Sequence, residues 1–261
     1  MHALPRIPRA LLAGFILLGT LRSAHAQGSA GSSAKLEPRY LIDIPIAGMI
    51  DRGSFAIDCD FYQSGGVLAS FSVGVLDRLS LGLSYGGSKL IGGEPPVMND
   101  LPGVSVKIRL FEEGYLFPAL AVGFDSQGKD GYIRGLNRYA IKSPGFYAVI
   151  SKNYATLGFL SVHCGVNYSL ERGDGDMDPN VFAGVEKTVG PVVSLMAEYN
   201  LGLNDNDTNS PGRGKGYLNA ALKISLGGGV TLGVNFKDLA RNADDVDIAN
   251  RTVRIEFSRP F

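Results

Sequence analysis

Leu160-Ser161-Val162-His163-Cys164-Gly165-Val166-Asn167-Tyr168-Ser169-Leu170 alternates between apolar side chains and polar or small ones. Successive side chains of an extended chain point to opposite faces, so this stretch reads as a strand with one oily and one hydrophilic side. The same period runs through Val104–Leu110, where Ser105, Lys107 and Arg109 interleave, and through Val193–Gly202 and Leu218–Ser225. Extended along the chain, the pattern marks runs at 53–62, 66–76, 79–88, 103–111, 115–124, 144–152, 155–169, 179–187, 191–202, 216–226, 229–238 and 250–261. Several reach the roughly 9–11 residues that a tilted membrane strand needs, beyond the five or six or so common in globular sheets.

The connections carry a second regularity. After a short first link at 63–65, long links (89–102, 125–143, 170–178, 203–215, 239–249) alternate with short ones (77–78, 112–114, 153–154, 188–190, 227–228). Outer-membrane barrels have short periplasmic turns and longer outer loops. The chain ends Val253, Ile255, Phe257, Arg259, Phe261, and a terminal Phe after alternating apolar residues matches the insertion signal read by the barrel-assembly machinery. The expected fold is all-β: a closed, antiparallel, up-and-down transmembrane β-barrel of about 12 strands over 53–261. The competing architecture, a soluble secreted sandwich or lipocalin-like barrel, also alternates but turns its oily face inward.

The N-terminal segment fits export. His2, Arg6 and Arg9 precede the apolar run Ala10–Leu21, which is too short to span a bilayer as a helix, and Ala24-His25-Ala26 supplies a small-x-small cleavage site. Residues 1–26 are read as a signal peptide cleaved after Ala26, addressed to the outer membrane of a Gram-negative-type envelope. Their removal takes Arg6, Arg9 and Arg22 and no acid, leaving 22 basic against 25 acidic residues and a net charge of −3. This balance argues against nucleic-acid binding, which needs a concentrated basic face. Residues 27–52 begin as a polar leader and continue as Tyr40–Ile50, apolar but not alternating: a short plug, a periplasmic strap or an extra strand. Cys59 and Cys164 fall on separate strands, too far apart in this reading to bond.

Strand parity assigns an inner face. Asp58, Asp60, Lys107, Arg109, Lys152, His163, Asn167, Glu186, Glu198, Asn200, Lys223, Asn235, Lys237, Arg254 and Glu256 are expected to line the lumen. In lipid, a Lys or Arg among them would cost about 2–4 kcal/mol at the midplane. Such a lining makes either a polar pathway or a closed, salt-bridged interior. Outer-membrane lipid is the expected partner.

Candidate chemistry is sparse. His163 shares its face with Ser161, Asn167 and Ser169, and outer-membrane phospholipases use Ser, His and Asn. Residues two apart on a strand are separated by about 6–7 Å, however, and a phospholipase must present its triad to lipid, whereas parity turns His163 inward. Asp174, Asp176 and Asp178 supply alternating oxygens in a Gly-containing loop, without the distal Glu of a calcium loop. Gly227-Gly228-Gly229 lacks the lysine and helix of a phosphate loop and reads as a turn. No cofactor, metal or catalytic residue is expected. With no Trp in the chain, an interfacial girdle must come from Tyr and Phe, such as Tyr62, Tyr85, Tyr115, Tyr154, Tyr168, Tyr199 and Phe261.

Phe117-Pro118-Ala119-Leu120-Ala121-Val122-Gly123, followed by Gly145-Phe146-Tyr147-Ala148-Val149-Ile150-Ser151-Lys152-Asn153-Tyr154 and Leu157-Gly158-Phe159, resembles a stretch of YjbH-type outer-membrane proteins, which are associated with exopolysaccharide production. The resemblance covers about residues 66–170 and implies a barrel linked to surface polysaccharide secretion, with polysaccharide as a partner and no catalytic residues. A transport or scaffold barrel is therefore the first expectation. The alternatives are an adhesion barrel acting through loops 125–143, 203–215 and 239–249, and a barrel enzyme of the phospholipase type.

Overall fold

The computed structural model describes residues 22–23, 30–32, 37–243 and 250–261. The assigned signal peptide lies outside the described residues except for Arg22–Ser23, which pair with Tyr154–Ala155.

Twelve barrel strands are present among the described residues: β1 (Ser54–Tyr62), β2 (Gly66–Leu76), β3 (Leu79–Ser88), β4 (Gly103–Phe111), β5 (Ala119–Asp125), β6 (Gly145–Ala155), β7 (Phe159–Tyr168), β8 (Asn180–Val189), β9 (Val193–Asn200), β10 (Tyr217–Gly227), β11 (Val230–Lys237) and β12 (Asn250–Pro260). Each pairs antiparallel with the next, and β12 pairs with β1 through the register Arg254↔Asp60 and Glu256↔Asp58. The sheet is therefore a closed, up-and-down barrel without a free edge. Closure removes the unpaired N–H and C=O groups that hydrocarbon cannot satisfy.

The alternation fixes which face is which. On β7, Val162 is 40% and Val166 51% exposed, while His163 is 4% and Asn167 8%. Ile57, Phe71, Leu83, Val106, Ile108 and Leu195 are likewise exposed on the outside. An apolar belt of this extent around a closed sheet belongs in lipid, so the chain is an outer-membrane β-barrel and not a water-soluble one.

The largest boundary differences from the sequence reading flank β5 and β6. Tyr115-Leu116-Phe117 lie in the connection before β5, not in the strand, and β6 continues to Ala155, so the next turn is Thr156–Gly158. Cys59 and Cys164 are both unbonded.

The interior is filled on one side. Residues 37–50 enter from the end with the short turns, reverse in a tight hairpin whose Leu41 N–H donates to Ile44 O (3.0 Å) and Ile46 N–H to Arg39 O (3.2 Å), and return to β1. This segment is a plug, one of the three roles open to Tyr40–Ile50 from sequence. Leu41, Ile42, Ile44, Ile46 and Ala47 are buried in one cluster with Ala119 and Ala121 (β5), Tyr147 and Val149 (β6), Phe182 (β8), Met196 (β9) and Ala221 (β10). The apolar core of this barrel is thus the plug pressed against the β5–β10 wall. Gly184 makes that approach feasible: a Cβ there would collide with the Leu41 side chain.

At the other end, the β5–β6 connection carries a small hairpin, Lys129–Ile133 with Arg138–Ile141. Arg138 is fully buried, with Nη1 2.5 Å from both Asp174 and Asp205, and Lys142 Nζ lies 2.8 Å from Asp174. One cluster of charges therefore ties together the β5–β6, β7–β8 and β9–β10 loops.

Candidate functional site: a plugged, charge-paired lumen

The hydrophilic rows converge on the plug. At its tip, the Glu198 carboxylate (β9) accepts backbone N–H groups from Ile42 (3.0 Å), Asp43 (2.9 and 3.1 Å) and Ile44 (3.2 Å), together with Asn219 Nδ2 (2.8 Å). Consecutive amides of a tight turn form a concave anion site, and here the anion comes from the wall. The tip is also held from the opposite side: Arg254 Nη1 donates to Ile42 O (2.7 Å), and Lys237 Nζ is 2.9 Å from Asp43.

Along the plug's flank, Lys107 Nζ (β4) donates to Arg39 O (2.7 Å), Ile46 O (2.9 Å) and Gly48 O (3.3 Å). Arg109 Nε donates to Ala47 O (3.1 Å), and its guanidinium pairs with Glu37 and with Glu112 (2.8 Å). Charged hydrogen bonds of this kind satisfy the backbone of a segment that has no sheet partner of its own.

The seam between β12 and β1 is a chain of ion pairs. Arg254 Nε lies 2.5 Å from Asp60 Oδ1, and Arg39 of the plug pairs with Asp58. Lys223 (β10) reaches across β11 to Glu256 at 2.9 Å. Nearer the loop end amides join the lining: Asn235 Nδ2 donates to Thr252 Oγ1 (3.0 Å), Asn167 Nδ2 to Pro144 O (3.0 Å), and Asn180 Nδ2 to both Asn167 Oδ1 (3.0 Å) and Asn200 Oδ1 (2.7 Å).

Fourteen of the fifteen residues expected in the lumen therefore face it, and Lys152 does not. It lies on the outward row of β6, with Phe146 and Ile150, and its Nζ hydrogen-bonds Gly114 O, Tyr115 O (3.1 Å) and Phe117 O (3.5 Å) of the neighbouring turn. Inward Tyr147 and Val149 pack on the plug while Ser151 and Asn153 follow on the same row, so each face of β6 mixes apolar and polar residues and its polarity does not reveal its parity.

His163 is buried, and its Nδ1 lies 2.8 Å from Ser151 Oγ on the adjacent strand β6. The Ser161 weighed from sequence instead donates to Asn153. Ser151 Oγ also accepts the Ala47 N–H of the plug (2.9 Å), so this hydroxyl joins the plug to His163. His163 Nε2 and Glu186 Oε1 have no hydrogen-bond partner among the described residues, and both residues line a small space of about 30 Å³, room for a bridging water. The plug covers this group, away from both lipid and the open lumen.

Asp174, suggested by sequence as a calcium ligand, is taken by Arg138 and Lys142, and the described residues contain no group of three or more acids, Cys or His placed to hold a metal.

Opposite the plug the lumen is open. A cavity of about 1100 Å³ follows the β1–β4 and β12 wall from Gly228 and Pro260 at the turn end to Gln127 and Lys129 beneath the loops. Sequence reading missed the plug residues Arg39 and Tyr40, which wall this cavity, and Asp125, whose carboxylate accepts the Tyr40 hydroxyl. Tyr40 opens the apolar run without alternation, whereas Arg39 closes the polar leader and Asp125 opens the link read as 125–143, so neither charge carried a sequence signal.

No family model matches the chain, and no characterised protein matches its sequence. Among solved structures, the chain is similar to the KdgM porin (TM-score 0.48, 10% identity, 80% of this chain and 99% of that one). It is also similar to the NanC porin (TM-score 0.43, 9% identity, 79% and 99%) and to the translocator domain of the autotransporter NalP from Neisseria meningitidis (TM-score 0.35, 12% identity, 80% and 86%). At this similarity the neighbours say nothing about the solute handled by this chain.

Proposed function

We propose that this protein is a transport barrel of the outer membrane, through which small hydrophilic solutes pass beside a resident plug. The observation that carries the reading is the cavity of about 1100 Å³ that runs the height of one wall while the plug fills the other. A barrel that served only as a scaffold would gain by packing both halves, because an unfilled interior forfeits dispersion contacts. The retained space is instead lined largely by hydroxyls and charged groups, a water-compatible surface. The resemblance of residues 117–159 to YjbH-type proteins supports surface polysaccharide as the wider context; those residues build the β5–β7 wall on which the plug rests.

Reconstitution in planar bilayers tests the reading. Folded protein should give discrete, small conductance steps. Ser105→Trp, which pushes an indole into the cavity, should lower them. Silent membranes containing demonstrably folded, heat-modifiable protein would refute the transport role.

A further inference from the structure

Along the middle of the open half of the lumen the charges are used in pairs, and what remains free there is hydroxyl. Arg39 is held by Asp58, Arg254 by Asp60, Glu256 by Lys223, and Asp125 by the Tyr40 hydroxyl. Lys129, at the top of the cavity, sits 5.1 Å from the Tyr40 ring centroid. By contrast, the side-chain hydroxyls of Ser70, Ser105, Thr231 and Ser258, all lining the cavity, have no hydrogen-bond partner among the described residues. Ser70 stands directly across from Ser84 in the β2–β3 register, and Ser105 across from Gly82, so this wall is low as well as hydroxylated.

Given the transport reading above, on which this step rests, we infer that the permeant class is uncharged, polyhydroxylated solutes of sugar type rather than sugar acids or amino sugars. A charged solute must shed water on entering, and it recovers that cost only from wall charges free to meet it. Along the middle of the cavity Arg39, Arg254 and Glu256 each already have a counter-ion, so a second one inserted there is uncompensated; the charges without a salt bridge among the described residues, Lys129 beneath the loops and Asp51 and Arg259 at the turn end, stand at the two mouths. A neutral polyol loses less on entry. It meets unpaired Ser and Thr hydroxyls, each both donor and acceptor, and the spare N–H groups of Arg39 and Arg254. The volume suits it too, lying at the upper end of the roughly 300–1,000 Å³ typical of small-molecule sites.

Three solutes of one size and different charge separate the outcomes: glucose, gluconate and glucosamine, in swelling assays on liposomes carrying the full-length folded protein. Glucose should enter about fivefold faster than either charged sugar. The Ser70→Ala/Ser105→Ala double variant, which removes hydroxyls without narrowing the path, should slow glucose about twofold. Asp58→Asn, which unpairs Arg39, should raise gluconate flux relative to glucosamine. Flux of either charged sugar equal to that of glucose in the unaltered protein overturns the inference and leaves the transport role standing. Absence of flux for all three, with folded protein in the vesicles, overturns both.

Discussion

Glu198 on the barrel wall and Ile42 at the tip of the plug meet through a single hydrogen bond of 3.0 Å, from the Ile42 N–H to Oε2, with Asp43 and Ile44 amides converging on the same carboxylate. The plug thus docks by its backbone. Its apolar side chains supply the burial against β5–β10, while wall charges satisfy the peptide groups that a fourteen-residue excursion through a barrel would otherwise leave bare.

Glu198→Gln replaces one accepting oxygen with an NH2 that faces the tip's own donors. Leaving such buried groups unpaired costs about 1–3 kcal/mol. Amide exchange at residues 41–46 should accelerate about tenfold or more at the low end of that cost, and bilayer conductance should rise as the tip loosens. Exchange indistinguishable from the unaltered protein would mean that the tip is held by its apolar contacts alone.

Lys107 and Lys152 make a matched pair on opposite faces. Lys107→Met strands the Arg39, Ile46 and Gly48 carbonyls inside the barrel, and should lower unfolding stability by about 1–3 kcal/mol and alter conductance. Lys152→Met frees carbonyls of the turn at Gly114–Phe117 and removes the 3.4 Å ion pair to the buried Glu113, and should leave conductance unchanged with a loss of about 1–3 kcal/mol. Single-channel recordings of the two variants side by side check this; a conductance change with Lys152→Met would place that side chain in the lumen after all.

This pair also shows where the sequence is legible. Strands β2, β3 and β4 begin and end at the residues the alternation marks, because each has a purely oily and a purely polar or small face bounded by turn residues. On β6 both faces are mixed, with Phe146, Ile150 and Lys152 outward and Tyr147, Val149, Ser151 and Asn153 inward, so the period that would have placed Lys152 vanishes. Tyr115, Leu116 and Phe117 misled for a related reason: apolar side chains in a connection read as strand when nothing but polarity is consulted. The plug has no period at all, since Leu41, Ile42, Ile44 and Ile46 are buried on every side. Which wall it covers, and hence where the cavity lies, depends on contacts between segments distant in sequence.

Cys164 lies near the middle of β7 on the outward row, between Val162 and Val166. Arginine at the bilayer midplane costs about 2–4 kcal/mol, so Cys164→Arg should lower folding stability in liposomes by about that amount, while Cys164→Val should be neutral. Reversible urea titration in vesicles measures both. In a water-soluble barrel an exposed arginine at this position would be harmless, so an unchanged midpoint for Cys164→Arg would contradict a lipid-facing β7.

Glu171, in the loop between β7 and β8, makes the outer loops sensitive to pH. Burial pushes its carboxyl up from 4.5 to about 7, against the opposing pull of the Ser143 and Tyr139 N–H groups, each 3.3 Å away. Because the folded state holds this proton more tightly than the unfolded one, the contribution is fully present below about pH 4.5 and is lost as pH rises through about 7. Asp174 runs the other way: although burial raises it, Lys142 and Arg138 hold it below 3.8, so it stays ionised throughout this window. Loop 126–144 should therefore be more susceptible to added protease at pH 8 than at pH 5.5, and Glu171→Gln should erase the difference. The direction is the test, because loops tightening toward pH 8 in the unaltered protein would show that the carboxylate's hydrogen bonds outweigh its burial.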